Sequence, residues 1–254
     1  MQLANERLQQ IEHIIRERQH IRVAELSETL GVSEPTIRRD LQKLEEMGRV
    51  RREHGGAMVV EEATPELPVI LRVAECAEEK RRIGWAAAQQ IKDGETIFLG
   101  SGTTTLEVVR YLDDKKNLTV ITNALNIATQ LASNPNTHVI ITGGVLRHSE
   151  LSMIGHIVEQ TLKELHADKA IISMRAIDIS EGLTNDDFLE TMTDRIIIQF
   201  AREVILVADH TKFGKVATGV VAPITVAHKI VTDDQTPMSM IQQLRKIGIT
   251  VIQV

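Results

Sequence analysis

Residues 33–57, which read SEPTIRRDLQKLEEMGRVRREHGGA, decide the fold of the first part of the chain. Ser33 is a favourable N-cap, and Pro35 is tolerated in a first helical turn because its missing N–H has no partner there. Apolar residues then recur at i, i+4 and i+7, at Ile37, Leu41 and Leu44. This spacing predicts a helix with one buried stripe.

The opposite face of this helix is polar and basic. At about 100° per residue, Arg39 points directly away from the stripe. Its flanks carry Thr36, Arg38, Gln42 and Lys43. Gly48 ends the helix as a C-cap, and a hairpin is predicted from 49–52 and 57–60, turning at 54–56. A basic helix followed by a basic hairpin is typical of a winged helix-turn-helix, in which the helix enters a major groove and the wing contacts phosphates.

The residues before this segment complete the unit. Asn5 is a candidate cap for a first helix with apolar positions Leu8, Ile11, Ile14 and Ile15. A second helix is predicted from 23 to 30, burying Val23, Leu26 and Leu30 and ending at Gly31. Two helices, a three-residue turn at 31–33 and a third helix match helix-turn-helix spacing.

A three-helix bundle with a solvated charged face is the alternative. Residues 36–52 hold six Lys/Arg against three Asp/Glu, and Asp40 is the only acid expected close to the basic face. This balance favours binding to double-stranded DNA. The predicted DNA-binding residues are Ser33, Thr36, Arg38, Arg39, Lys43, Arg51, Arg52, His54 and Gly55.

The stretch 25–57, ELSETLGVSEPTIRRDLQKLEEMGRVRREHGGA, resembles the DeoR family of bacterial transcription regulators of sugar metabolism. The signature of that family combines a VS-x-x-TIRRDL recognition helix with an HGGA wing, and both occur here. A generic helix-turn-helix does not require this combination, so the resemblance is specific.

Charge and cysteine content bound the rest of the chain. Residues 1–60 carry ten Lys/Arg and ten Asp/Glu, so the net charge of −6 lies in residues 61–254. The larger part of the chain is therefore acidic, whereas the predicted DNA-contacting segment is locally basic. Cys76 is the only cysteine, which excludes an intramolecular disulfide and indicates a cytoplasmic protein; a redox-sensing thiol is the less favoured alternative. No apolar run reaches the ~20 residues of a membrane span, and the N-terminus is no signal peptide.

Two prolines and three acids in 61–68 mark a domain boundary. We predict a DNA-binding domain at 3–58, a linker at 59–79 and an effector domain at 80–254. Helical pattern resumes at 69–91, and then apolar strands alternate with helices. Strands are expected at 96–99, 118–122, 138–142, 170–173, 204–208, 229–232 and 249–252. Helices are expected at 104–112, 125–132, 157–165, 188–200 and 239–246.

This alternation predicts an α/β chain: an N-terminal winged helix-turn-helix domain followed by a Rossmann-like parallel-sheet effector domain. Ligands of such sheets bind at the carboxyl ends of the strands. Polar residues follow four of the predicted strands, at 100–105, 122–123, 142–144 and 209–214. Residues 101–105 run from a strand into a helix and suit an anion, although an ordinary tight turn is the alternative.

The resemblance to the DeoR family continues through GSGTTT, TN, TGG-x-x-R, GLT…ETM and AD-x-x-KFG, so that it covers roughly 3–253. It implies an effector domain similar to ribose-5-phosphate isomerase that senses a phosphorylated sugar or related metabolite. The phosphate would be held by Ser101, Gly102, Thr103, Thr104 and Thr105. The other effector-binding residues would be Lys80, Asn123, Gly144, Arg147, Asp178, Glu190, Asp209 and Lys212. The chain departs from the family at 173–178, which is usually glycine-rich, and at Gly100, which replaces an acid.

Three classes of function follow from these residues. A sugar-phosphate isomerase with an attached DNA reader has suitable acids and bases in Asp178, Glu190 and Lys212, but lacks the lysine and glycine run of the isomerase. A purely architectural DNA protein would not need the second domain. We therefore predict a regulator, by resemblance a repressor that a phosphorylated sugar releases from its operator. Half-site recognition favours a homodimer or homotetramer, and no cofactor, metal or membrane partner is predicted.

Overall fold

The computed structural model describes residues 7, 8, 10, 11, 14, 15, 18, 20–46, 50–53, 55–59 and 68–254. The chain divides into two compact units, residues 1–66 and 67–254. The second unit therefore includes residues 67–79 of the predicted linker. Within the ranges just given, no helix combines the length and apolar character that crossing a bilayer requires.

The first unit is a helix-turn-helix with a small antiparallel sheet. The described residues between 7 and 18 are helical. After them come β1 (His20–Arg22), α1 (Val23–Leu30), α2 (Glu34–Glu46), β2 (Val50–Glu53) and β3 (Gly56–Val59). The strand order is β1-β3-β2. The predicted hairpin is present, but the prediction missed β1, whose three residues pair with the wing at Met58, Ala57 and Gly56.

The core of this unit confirms the predicted helix faces. Ile37, Leu41 and Leu44 of α2 are at most 1% exposed. They pack with residues of the other helices that include Leu8, Ile11, Ile15, Val23 and Leu26. Leu30 is only partly buried, because it ends α1 immediately before Gly31, whose φ of 64° turns the chain. The predicted caps Asn5 and Gly48 lie outside the described residues.

The second unit is built on a parallel sheet of the Rossmann-like kind. Its strands are β4 (Thr96–Leu99), β5 (Leu118–Thr122), β6 (Thr137–Ile141), β9 (Ala167–Ile172), β12 (Ala201–Val207), β14 (Lys229–Thr232) and β15 (Thr250–Gln253). They are ordered β15-β14-β12-β9-β4-β5-β6. All neighbouring pairs are parallel. The carboxyl ends of these strands therefore lie along one edge of the sheet.

Helices cover both faces of this sheet. The helices are α3 (Val69–Arg72), α4 (Ala77–Ala88), α5 (Thr103–Val109), α6 (Leu125–Leu131), α7 (His156–Lys163), α8 (Phe188–Phe200) and α9 (Met238–Lys246). Successive residues of β4 point to opposite sides: Phe98 packs with α7, α8 and α9, whereas Ile97 and Leu99 pack with α4, α5 and α6. Burial on both faces explains why the strands read as continuous apolar runs.

The predicted strands and helices of the sheet are all present, with bounds that differ by a few residues. The pattern missed two smaller pieces. One is the hairpin β7 (Val145–Arg147) with β8 (Ser152–Ile154). The other is the antiparallel sheet of β10 (Ala176–Asp178), β11 (Gly182–Asn185) and β13 (Gly219–Ala222). These strands are only three or four residues long, and they lie outside the repeated strand–helix alternation that reveals the equally short β4 and β14.

Candidate functional site

Helix α2 presents a basic face opposite its buried stripe. Arg38, Arg39 and Lys43 are exposed. Arg39 and Lys43 form no ion pair with any described residue, whereas Arg38 contacts Glu34 at 3.1 Å. Ser33 accepts the first helical hydrogen bonds through its carbonyl oxygen, and its hydroxyl lies 3.0 Å from that of Thr36. The most available cations of α2 are therefore Arg39 and Lys43.

The expectation that Asp40 is the acid close to this basic face is wrong. Asp40 is 3% exposed, and its carboxylate binds Arg7 of the first helix, with 2.6 Å between Oδ2 and Nε. The Asp40 side chain therefore points inward, and its ion pair with Arg7 links α2 to the first helix. The acid beside the basic face is instead Glu34, which pairs with Arg38.

The wing follows the predicted hairpin in its backbone. Arg51 and Arg52 stand on β2 opposite Met58 and Ala57 of β3. Gly55 turns the hairpin with φ of 87°, a conformation that favours glycine. His54 lies outside the described residues, and for Arg51 and Arg52 only the backbone is described. Their contacts with DNA therefore stay a prediction.

The loop 101–105 joins the carboxyl end of β4 to α5. Gly102 adopts φ of 122°, and a Cβ there would clash with Ser173 Oγ. The Thr105 hydroxyl donates within the loop, to the carbonyl oxygens of Ser101 and Gly102 at 2.9 and 3.1 Å. Thr103 and Thr104 are buried, and their hydroxyls have no hydrogen-bond partner among the described residues. The loop thus leaves two hydroxyls available at the strand end.

Polar groups that have no hydrogen-bond partner in the described part of the chain also lie at the end of β5. Asn123 is 3% exposed and donates from Nδ2 to the carbonyl oxygen of Met153 at 3.1 Å, but its Oδ1 is buried without a partner. Ser152 Oγ is likewise buried and unpartnered. The two residues are close, because Ala124 bridges to Ser152. Buried polar atoms are normally hydrogen-bonded, so this pair is a candidate contact for a polar ligand.

Gly144 and Arg147 lie beside this strand end, on the approach to β7 and within it. Gly144 has φ of 119° and approaches the backbone of Ile154 too closely for a Cβ. Arg147 lies 3.3 Å from the Glu190 carboxylate and 3.5 Å from that of Asp187, at the start of α8. The predicted site residues Arg147 and Glu190 therefore form an ion pair with each other.

A cavity of about 550 Å³ opens next to the end of β12. It is lined by Glu75, Cys76, Arg175, Ala176, Asp186, Asp209, Thr211, Lys212, Lys215, Val216 and Ala217. Lys80 is 3% exposed and donates to the carbonyl oxygen of Arg72 at 2.9 Å. Burial lowers the pKa of Lys80 and of Lys212, and the Asp209 carboxylate opposes that shift in both. The structure thus brings Lys80, Asp209 and Lys212 close to one another; their contact with an effector stays a prediction.

Asp178 is not brought into this cavity. Its Oδ1 accepts hydrogen bonds from Ser180 N, Ser180 Oγ and Glu181 N at 2.8, 2.6 and 3.1 Å. These bonds lower the pKa of Asp178 and close the turn between β10 and β11. The cavity-lining residue of β10 is Ala176.

Besides Asp209 and Lys212, six polar residues line the cavity that were not among the predicted effector-binding residues: Glu75, Cys76, Arg175, Asp186, Thr211 and Lys215. Arg175 lies in the stretch 173–178 that departs from the family pattern, and its Nε donates to Asp186 at 3.0 Å. The departure is therefore a signal that was available in the sequence. The pairing with Asp186 depends on the β10–β11 sheet, which the sequence pattern does not show.

A carboxylate of α8 lies behind the Arg147 site. Desolvation raises the pKa of Asp194 to about 7, and the nearby Glu150 carboxylate adds to the rise. Asn185 of β11 donates a hydrogen bond from Nδ2 to Asp194, and this bond opposes the rise in the pKa. Asp194 is thus a proton-binding group in the folded protein near neutral pH.

Comparison with known proteins adds independent evidence. A family model described as the DeoR-like helix-turn-helix domain matches residues 7–63, and one described as the DeoR C terminal sensor domain matches residues 75–234. The glycerol-3-phosphate regulon repressor of Escherichia coli is 35% identical over 231 residues, 91% of each chain. The transcriptional repressor AccR of Agrobacterium fabrum is 35% identical over 232 residues, 91% of this chain and 90% of that protein.

Among solved structures, part of the chain is similar to ribose 5-phosphate isomerase A from Methanocaldococcus jannaschii. The identity is 16%, the TM-score is 0.41, and 55% of each chain is covered. A likeness of this size concerns the fold alone.

Proposed function

The chain belongs to the DeoR family of DNA-binding transcriptional regulators, and on that premise we propose that it represses a carbohydrate-catabolism operon. In this proposal a phosphorylated sugar or a related metabolite binds the second unit and releases the protein from its operator. The relatives named repressors support the direction of control. The protein acts in the cytoplasm as a homodimer or homotetramer, because two recognition helices are needed to read two half-sites.

The first unit supplies the DNA contacts. Arg39 is exposed, forms no ion pair with a described residue and points away from the buried stripe of α2, so we assign it to a guanine edge in the major groove. Ser33, Thr36, Arg38 and Lys43 then lie beside the phosphates that flank this base. We assign Arg51, Arg52, His54 and Gly55 to the phosphate strand under the wing.

The second unit supplies the effector site. The observation that carries this proposal is a set of polar atoms at neighbouring strand ends that have no hydrogen-bond partner among the described residues: the hydroxyls of Thr103 and Thr104, and Asn123 Oδ1. Hydroxyls donate to phosphate oxygens, whereas an amide oxygen accepts from a sugar hydroxyl. Ser101, Gly102 and Thr105 shape the loop around the phosphate, and Lys80, Asp209 and Lys212 contact the rest of the ligand from the end of β12. Gly144, Arg147 and Glu190 border it on the far side.

We infer that the domain senses its ligand without converting it. Aldose–ketose isomerisation needs a carboxylate base and a positioned acid at two neighbouring carbons. Asp178 is committed to its own turn, and Glu190 is paired with Arg147. Neither carboxylate is therefore an available base, which favours the regulator over an isomerase with an attached DNA reader.

Titration calorimetry on the full-length protein tests the effector site. Phosphorylated and unphosphorylated forms of the same sugars, chosen from a thermal-shift screen, are compared on the wild type and on Thr103→Val. We expect the phosphorylated form to bind more tightly, and Thr103→Val to weaken it by about 1–3 kcal/mol through loss of one hydroxyl.

The control is Thr129→Val, which removes an exposed hydroxyl that donates to the Leu125 carbonyl oxygen within α6. It should leave effector affinity unchanged, and neither variant should alter operator affinity. Equal affinity for the two forms of the sugar, or an intact response in Thr103→Val, would mean that loop 101–105 is only a turn.

A further inference from the structure

Three side chains with metal-ligating atoms meet at the start of α4 and the end of β12. Cys76 Sγ, a carboxylate oxygen of Asp209 and a ring nitrogen of His210 all lie within 4.8 Å of one another. Cys76 is the residue immediately before α4 and has φ of 48°, while Asp209 and His210 follow the inner strand β12. The three donors therefore lie at the ends of two elements of the second unit.

His210 is oriented by a buried carboxylate. Its Nδ1 lies 3.0 Å from Asp233 Oδ1, and its backbone N–H donates to Asp233 Oδ2 at 2.7 Å. Asp233 is fully buried. When Nδ1 donates to this carboxylate, the ring lone pair is on Nε2, the form in which histidine binds metals. A carboxylate that holds the second ring nitrogen is the usual support of a metal-ligating histidine.

Only one carboxylate oxygen of Asp209 accepts hydrogen bonds from the described residues. It is 1% exposed, and its Oδ1 accepts from the backbone N–H of Thr211 at 3.0 Å and from the Thr211 hydroxyl. Its Oδ2 accepts no hydrogen bond from any described residue. Lys80 and Lys212 balance its charge at longer range. One oxygen thus fixes the carboxylate, and the other can bind a cation in competition with these two ammonium groups.

The donor set selects the kind of metal. A thiolate, an imidazole and a carboxylate are the three ligand types that Zn²⁺ takes in proteins, whereas Mg²⁺ and Ca²⁺ prefer oxygen alone. Three protein ligands leave a fourth position for water or another ligand. Cys76 and Asp209 also line the cavity of about 550 Å³.

We propose that Cys76, Asp209 and His210 form a binding site for a divalent transition metal of the zinc type, with its open position on this cavity. The proposal does not rest on the identity of the effector. Sequence reasoning predicted no metal site, because Cys76 and Asp209 are more than 130 positions apart along the chain.

Metal titration of the full-length protein tests the proposal. Chelator-treated protein is titrated with Co²⁺ in an absorption spectrometer and with Zn²⁺ in a calorimeter, without any sugar phosphate. We expect one equivalent per chain and a sulfur-to-cobalt charge-transfer band. Cys76→Ser should abolish that band and weaken Zn²⁺ binding, and His210→Asn should weaken Zn²⁺ binding by tenfold or more. Asp233→Asn should lower affinity by about 10–100-fold through the support it gives His210.

The matched control is His166→Asn, which changes an exposed histidine and should leave the titration unchanged. Metal-free melting curves of each variant separate loss of ligand from loss of fold, and Cys76→Ser provides a conservative second test if His210→Asn unfolds. Absence of stoichiometric binding to the wild type would overturn the proposal. Zn²⁺ affinity that is unchanged in both Cys76→Ser and His210→Asn would also overturn it, because the metal would then lie elsewhere.

Discussion

Gly102→Ala offers a sharp test of the effector loop because the structure gives its cost in two parts. The backbone of Gly102, with φ of 122° and ψ of 156°, lies in a region that essentially only glycine occupies, so alanine is strained by about 1–3 kcal/mol. The new Cβ also clashes with Ser173 Oγ, which must rotate and give up its 3.2 Å hydrogen bond to the Ser101 carbonyl oxygen. That bond contributes about 1 kcal/mol to stability, so we expect Gly102→Ala to lower the free energy of unfolding by roughly 2–4 kcal/mol.

Gly94→Ala is the matched control in the same unit. Gly94 also has positive φ, 78°, but no atom lies within 4 Å of an added Cβ, so only backbone strain applies. Trp85, the only tryptophan, lies in α4 and reports unfolding of the second unit by fluorescence in urea. Calorimetry with the phosphorylated sugar then measures its affinity in the absence of urea.

We expect Gly102→Ala to be less stable than Gly94→Ala and to bind the sugar phosphate at least tenfold more weakly, a difference of about 1.4 kcal/mol. Operator affinity should be retained in both variants, because the DNA contacts belong to the first unit. Equal stabilities would refute the close contact with Ser173. A destabilised Gly102→Ala that binds the sugar phosphate as the wild type does would refute the assignment of this loop to the phosphate.

Arg39→Ala should lower specific operator affinity by about 1–3 kcal/mol and non-specific affinity much less. Arg202→Ala, which changes an exposed arginine of the second unit, should alter neither affinity. If Arg39→Ala still discriminates the operator from competitor DNA as the wild type does in a competition gel, the placement of α2 is contradicted. For Asp194, the folded-state pKa of about 7 exceeds the ordinary 3.8, so the folded protein binds the extra proton and the contribution to stability is lost as pH rises between these values. Asp194→Asn should therefore flatten the fall in melting temperature over that range, and an unaltered pH profile would exclude this role. Incubation with aldose phosphates should yield no isomer above buffer controls, and turnover that Glu190→Gln abolishes would contradict the regulator reading.

The parts of the fold that the sequence predicts are those with a long pattern. Strand 96–99 belongs to the repeated alternation of apolar strands and helices, and the amphipathic pattern of helix 188–200 extends over several turns, so both have the predicted bounds. Strands such as His20–Arg22 and Ala176–Asp178 are too short for such a pattern. The first is held by pairing with residues 56–58, and the second by pairing with the strand that follows it, at residues 182–184.

The candidate site divides in the same way. Asp209 and Lys212 were predictable, since they follow a strong strand at the ligand edge of the sheet. Asp178 was assigned to the ligand although a serine stands two positions later, a spacing that also suits a side-chain turn, and the structure has that turn. The buried pair of Asp40 with Arg7, and the meeting of Cys76 with His210, depend on tertiary packing that no local pattern records.

The most direct test of the proposed function is operator release by one phosphorylated sugar and not by its parent sugar. Genomic fragments that the full-length protein captures supply the labelled operator, and fluorescence anisotropy follows its affinity while each compound is titrated. We predict that the sugar phosphate weakens operator binding, and that operator DNA weakens sugar phosphate binding by the same factor, as linkage requires. Operator affinity that stays constant at saturating sugar phosphate, or falls equally with the parent sugar, would contradict it.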